Sequence, residues 1–242
     1  MIHQETYEPR ISDYNENGVL SLEAILDIAE NAGNHHATKA NDDVVSGSQN
    51  GIAWILAEWN VCFRRRPRHG ERLHIKTWVR VEQPSTTTNR DIVICDDAGE
   101  ECILLFAKFV LFDMQTRRPT RLTPEIMAAY QPEDAVGMDF GNARLHEPSD
   151  YENETTLTLR RTDADFNGHV HNARYISLAL ESLPNEIYKA DSFATFRIVY
   201  RQPLTANETV TLRCHTEGGH CVTGFYRQDG TLSTIIEINS NK

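Results

Sequence analysis

Residues Thr162 to Pro184 read TDADFNGHVHNARYISLALESLP, and Ser12 to Asn31 read SDYNENGVLSLEAILDIAEN. Set one beneath the other at a shift of 150, Asp13 meets Asp163, Asn17 meets Asn167 and Gly18 meets Gly168. Apolar Leu26, Ile28 and Ala29 then meet Ile176, Leu178 and Ala179. Each stretch is a polar turn running into an apolar helix. A looser match sets CFRRRPRHGERLHI beside VYRQPLTANETVTL, with Pro67 opposite Pro203 and a shift of 136. The shared order of the two matches points to duplication, with 14 extra residues in the first copy between helix and strand.

Working outward, each copy reads βαββββ. In the first, a segment near ETYEPRI precedes a helix with Ser21 as N-cap, and Glu23, Asp27, Glu30 and Asn34 recur at helical spacing among Leu, Ile and Ala. Extended segments follow at GIAWILAEWNVCF, RLHIKTWVRV, TTTNRDIVICD and ECILLFAKFVLFDM, the last two joined by the turn DDAGE. In the second copy ETTLTLRR leads to a helix from Asn172 to Leu183, closed by Pro184. Strands at SFATFRIVYR, ETVTLRCHT, CVTGFYRQ and TLSTIIEI complete it. The resulting expectation is an α+β chain: domain 1–114, linker 115–154 with one short helix starting at Thr123-Pro124, and domain 155–242. In each domain an antiparallel sheet wraps around a buried helix.

Composition narrows the function. The 24 Lys and Arg stand against 35 Asp and Glu, a net −11, which argues against a nucleic-acid binder. No apolar run approaches the roughly 20 residues of a membrane helix, and MIHQETYEPR lacks the pattern of a signal peptide. Five cysteines, at 62, 95, 102, 214 and 221, form no close pairs and read as reduced thiols. All but Cys214 sit in apolar strand contexts, where a buried, inert thiol is the default. The three tryptophans read as core.

With these elements in place, the sequence resembles the acyl-acyl-carrier-protein thioesterases, which carry two hot-dog folds in tandem. The resemblance spans GIAWILAEW…RRRPRHGERLHIKTWV, RRPTRLTPEI, DADFNGHVHNARYISLALES and FRIVYR; its most specific element is D-x-N-x-H-V-x-N-x-x-Y, from Asp165 to Tyr175. It implies hydrolysis of a fatty acyl thioester on acyl carrier protein without cofactor or metal, with catalysis in the second domain and the acyl-chain pocket in the first. Plastid members carry a transit extension not seen here, so the expected type is bacterial and cytoplasmic. Oligomeric state stays open, a homodimer being one option. An acyl-CoA thioesterase and an inactive acyl-binding protein are the alternatives.

Thioester hydrolysis needs a positioned water, a proton acceptor and donors for the oxyanion. The resemblance maps Asp165, Asn167 and His169 onto catalytic positions: a base or orienter, an amide donor and an imidazole. Backbone N–H groups at the following helix's start add donors. Spacing alone serves capping equally well, since Asp and Asn are ordinary caps. The duplication discriminates, because the first copy has Asn15, Asn17 and Val19 at these positions, keeping the turn without acid or imidazole. One departure stands out. The family commonly has Glu and Cys just after the next strand's Tyr-Arg, and here YRQPLTA puts Pro203 and Leu204 there. Glu181 is a weaker base candidate, and His169 with His171 lacks further ligands at metal spacing. The run Arg64 to Arg68, with Arg117, Arg118 and Arg121, suits docking of an acidic carrier protein and a solvated strand edge about equally.

Overall fold

The computed structural model describes residues 1–42, 51–81, 85–141 and 143–241. The chain divides into two compact units, Met1–Phe140 and Gly141–Lys242.

Unit 1 begins with β1 (His3–Tyr7) and the long helix α1 (Leu22–Lys39), followed by β2 (Ile52–Phe63), β3 (Leu73–Val79), β4 (Thr87–Cys95) and β5 (Glu101–Asp113). The strands pair antiparallel in the order β1-β3-β4-β5-β2, and a two-residue strand β6 (Arg118–Pro119) adds to β5. Ser21 caps α1 as expected, its hydroxyl accepting the Ala24 N–H at 3.2 Å. Leu22, Ile25, Leu26, Ile28, Ala29 and Ala32 are buried on the helix, while Glu23, Asp27, Glu30 and Asn34 are half-buried. The apolar stripe is what holds α1 against the sheet.

Unit 2 repeats the plan with β7 (Asn153–Thr158), α3 (Arg174–Leu180), β8 (Phe193–Tyr200), β9 (Thr209–Glu217), β10 (His220–Arg227) and β11 (Leu232–Ser240). Its sheet order β7-β9-β10-β11-β8 is that of unit 1 element for element. The repeat reaches single hydrogen bonds. Asp13 N bonds Arg10 O and Ser21 N bonds Asp13 O; Asp163 N bonds Arg160 O and His171 N bonds Asp163 O.

Three sequence expectations need correction. The second match runs at a shift of 137, not 136. Leu20 N donates to Pro67 O as Val170 N does to Leu204 O, and Arg64 and Arg65 bond Cys102 O as Arg201 and Gln202 bond Ser233 O. The equivalent of Pro67 is therefore Leu204, and backbone register outweighs the matched prolines. The second helix is also shorter than Asn172–Leu183, spanning Arg174–Leu180 without a side-chain cap, because His171 stands where Ser21 caps α1. Pro184 does not only close it but opens a further short helix, α4 (Asn185–Ala190), its rigid φ suiting a helix entry.

Residues 115–141 and 143–152, in the stretch read as linker, pack onto the units. Helix α2 (Pro124–Ala129) starts at its Thr123 cap, and Tyr130 beyond it is buried against Ala37, Ala40 and Val79. The Trp78 indole donates to Ala135 O at 2.8 Å and Arg80 to Met138 O at 2.9 Å, which ties residues 135–138 to β3 and its end. In unit 2, the Tyr226 hydroxyl donates to Glu147 at 2.7 Å and Arg197 to Ala143 O at 2.6 Å.

Candidate functional site

The polar cluster of unit 2 lies on a tight turn ahead of α3. Asp165 N donates to His169 O at 2.8 Å and Gly168 N to Asp165 O at 3.0 Å, closing the turn. Gly168 has φ +77°, a left-handed conformation that a side chain there would strain. The Asp165 carboxylate ties the loop from within. Oδ1 accepts from Asn167 N at 2.8 Å and His169 N at 3.3 Å, and the Asn167 amide donates to Oδ2 at 3.4 Å.

Two anchors hold the turn. On one side, Asp163 is buried, and burial alone would raise its carboxyl pKa. Hydrogen bonds from Arg160 outweigh that and keep it below its ordinary value. On the other side, His169 pairs with Thr205 across an antiparallel bridge and Val170 N donates to Leu204 O at 2.8 Å. Leu204 N in turn donates to the Tyr175 hydroxyl at 2.9 Å, and Tyr175 packs edge-on against Tyr200 at 5.4 Å. This clamp, absent from the sequence reading, places the Pro203–Leu204 segment directly beside His169. Its signal was the Tyr that ends the D-x-N-x-H-V-x-N-x-x-Y element.

The structure brings Asp165 and Asn167 together, with Asp165 half-buried and Asn167 and His169 exposed. Among the described residues, no hydrogen bond joins the His169 imidazole to the Asp165 carboxylate. The turn also lies several residues upstream of α3, so its residues stand before the helix rather than at its first turn. Unit 1 supplies an internal control. Asn15 Oδ1 accepts from Asn17 N at 3.0 Å and Val19 N at 3.3 Å, and Gly18 N donates to Asn15 O at 3.0 Å. The same loop thus closes on a neutral amide.

Other candidates fall outside this arrangement. Glu181 is exposed at the end of α3. Cys214, expected outside an apolar strand context, is fully buried on β9, where the adjacent Cys221 thiol favours its thiolate and lowers its pKa to about 6. Among the described residues, two side-chain groups have ligand atoms within 4.8 Å of one another, His3-Glu5-His35 and Asp150-Glu152-His215. In the first, the Lys39 ammonium donates to His3 Nδ1 at 3.0 Å, so the ring proton sits on Nε2, which faces Glu5 at 3.0 Å. That ring offers a metal no free lone pair. In the second, Asp150 and Glu152 are both exposed.

Two arginines of the basic run are ion-paired. Arg64 pairs with Glu101 at 3.2 Å, and Arg65 with Glu71 at 2.6 Å and Asp96 at 2.8 Å. Arg117, Arg118 and Arg121 are exposed, and none of the three is ion-paired with a described residue. Among the described residues, no helix is long and apolar enough to cross a membrane.

Known proteins bear on this arrangement. The family model for the N-terminal domain of acyl-ACP thioesterases matches residues 1–130, and that for their C-terminal domain matches residues 146–241. A dodecanoyl-[acyl-carrier-protein] hydrolase of Cinnamomum camphora is 20% identical over 237 residues, covering 93% of this chain and 62% of the relative. An oleoyl-acyl carrier protein thioesterase of Coriandrum sativum is 25% identical over 231 residues, covering 86% and 61%. Both are chloroplastic, and the chain spans about three fifths of their length. The crystal structure of an acyl-ACP thioesterase from Bacteroides thetaiotaomicron matches with a TM-score of 0.89 at 17% identity, covering 99% of this chain and 98% of that one. The fold is therefore two hot-dog domains in tandem.

Proposed function

The chain belongs to the acyl-ACP thioesterase family, and on that premise we propose that it hydrolyses fatty acyl thioesters carried on acyl carrier protein, releasing the free fatty acid. In this reading unit 1 houses the acyl chain, unit 2 carries the chemistry, no cofactor takes part, and the protein works in the cytoplasm. The observation that carries the site assignment is the comparison of the two turns. Asn15 makes the same two loop-closing hydrogen bonds as Asp165, so the negative charge at Asp165 is surplus to the fold. A buried or half-buried charge that the fold does without is a candidate for chemistry.

In the proposed reaction, water attacks the thioester carbonyl carbon and its proton passes to Asp165 Oδ2 or to the His169 imidazole. The Asn167 amide donates to the oxyanion of the tetrahedral intermediate. Collapse breaks the C–S bond, and the held proton goes to the departing thiolate. Pro203 has no N–H and Leu204 spends its own on Tyr175, so the segment beside His169 contributes shape and clamping rather than a base or nucleophile.

One competing reading has an observation behind it. With Pro203 and Leu204 at the family's Glu and Cys positions, a chain that binds acyl groups without turnover fits the same fold. Hydrolysis assays of the purified chain with acyl-carrier-protein and acyl-CoA substrates of matched length decide between them. Faster turnover of the carrier-protein thioester supports the proposal; faster turnover of the CoA thioester changes the carrier, and no turnover of either overturns it.

A further inference from the structure

Unit 1 buries a cation whose carboxylate-binding edge meets no carboxylate of a described residue. Arg90 lies on β4 facing α1 and is only 7% exposed. Its Nη1 donates to His36 Nδ1 at 3.0 Å and to Thr77 Oγ1 at 3.1 Å, and the guanidinium carbon lies 5.8 Å from the centroid of the Tyr130 ring. No carboxylate of a described residue lies within ion-pair distance. Burial pushes its pKa down to about 10, which leaves it a cation at neutral pH. A buried charge without a counter-ion costs several kcal/mol, so its retention calls for a reason.

The chain itself shows the ordinary use of the missing edge. In Arg80 the fork formed by Nε and Nη2 takes both oxygens of Asp91, at 2.5 and 2.7 Å. In Arg90 the same fork has no acceptor among the described residues. Gly33 of α1 packs beside it, a Cβ there lying in ordinary contact with Arg90 Cδ and Nε, both at 3.6 Å. His36 Nδ1 accepts from Arg90, so the ring proton sits on Nε2, buried beside the Tyr130 backbone. Apolar Ala37, Ala40, Val79 and Tyr130 form the adjoining cluster, with Trp54 and Met127 against it.

We propose that the Arg90 fork forms a binding site, inside unit 1, for a carboxylate borne by an aliphatic chain. A planar fork matches a carboxylate bidentately, and the adjoining apolar cluster suits the hydrocarbon. The aliphatic half rests on the reading of unit 1 as the acyl-chain pocket; the carboxylate half stands on the fork alone. The carboxylate has two sources: the fatty acid released by hydrolysis, or the far end of a dicarboxylic acyl chain.

The test is calorimetric titration of the full chain with decanoate and with decan-1-ol. Decanoate should bind at least about 10-fold tighter, the scale of a charge-assisted bidentate contact. Arg90→Lys keeps the charge without the fork and should erase most of that preference, and Gly33→Val should weaken decanoate by crowding Nε. Melting curves identify folded variants, and Gly33→Val leaves the cation in place should Arg90→Lys fail to fold. Equal binding of acid and alcohol, or an undiminished preference in the folded variants, overturns the site. Both results stand whether or not the chain hydrolyses thioesters, so they separate this proposal from the thioesterase reading. Kinetics then assigns the source. Preferential turnover of a decanoyl thioester carrying a terminal carboxylate, lost in Arg90→Lys, marks the substrate; inhibition of plain decanoyl turnover by decanoate, relieved in Arg90→Lys, marks the product.

Discussion

Asp165 and Asn15 occupy equivalent turns and spend one oxygen on the same pair of backbone N–H groups. They differ in charge alone, which makes the fold's need separable from the proposed chemistry. Asp165→Asn should leave the thermal midpoint within a few degrees of the native protein. Asp165→Ala removes both acceptors and should destabilise by about 1–2 kcal/mol, read from denaturant melts. A large loss of stability in Asp165→Asn would show that the charge itself holds the loop. Asp165, Asn167 and His169 could be picked out from sequence because a second copy showed what the turn looks like without them. Arg90 could not. An arginine between Asn89 and Asp91 carries no mark of its orientation, and the lack of an acceptor for its fork among the described residues is a fact that only coordinates supply.

At the scale of elements, α1 was readable because Ser21 caps it and its polar residues keep helical spacing, whereas α3 lost its first turn to His171 and α4 hid behind a proline read as a stop. Strand existence followed from alternation and the Gly-containing turns: Asp96 N bonds Glu100 O and Arg227 N bonds Thr231 O around Gly99 and Gly230. The buried end of α1 has a pH consequence. Burial first, then the Arg90 charge, hold the His36 pKa down from 6.5 to about 4. An unfolded chain binds that proton more readily, so the contribution of His36 is fully present above about pH 6.5 and is lost as pH falls toward 4. The loss amounts to at most about 3.5 kcal/mol, at roughly 1.4 kcal/mol per pH unit. Urea melts at intervals between pH 7 and pH 4.5 should show a shallower decline in His36→Gln than in the native chain. Parallel curves would mean that His36 titrates normally in the folded state.

Across the whole molecule, duplication was the most informative sequence feature, since it set the order of elements in both units and the frame for reading the polar turn. The one-residue slip in the second match arose from aligning prolines, where the hydrogen-bond ladder aligns Pro67 with Leu204. Charge distribution was less readable: composition showed an arginine run, and only the structure showed Arg64 and Arg65 held by Glu101, Glu71 and Asp96. If an acidic carrier protein docks electrostatically, the exposed Arg117, Arg118 and Arg121 are better placed to steer it. Replacing all three with Ala should raise KM several-fold at low salt and flatten its salt dependence, with kcat little changed. An unaltered salt response would remove them from docking. The central claim is that unit 2 uses the surplus charge of Asp165 for hydrolysis, and its most direct test is single-turnover hydrolysis of a saturating acyl-carrier-protein thioester by native protein and by Asp165→Asn. The account predicts a rate lower by about 100-fold or more in a protein of unchanged thermal midpoint, the usual effect of removing a general base. A near-native rate in the folded variant would contradict it.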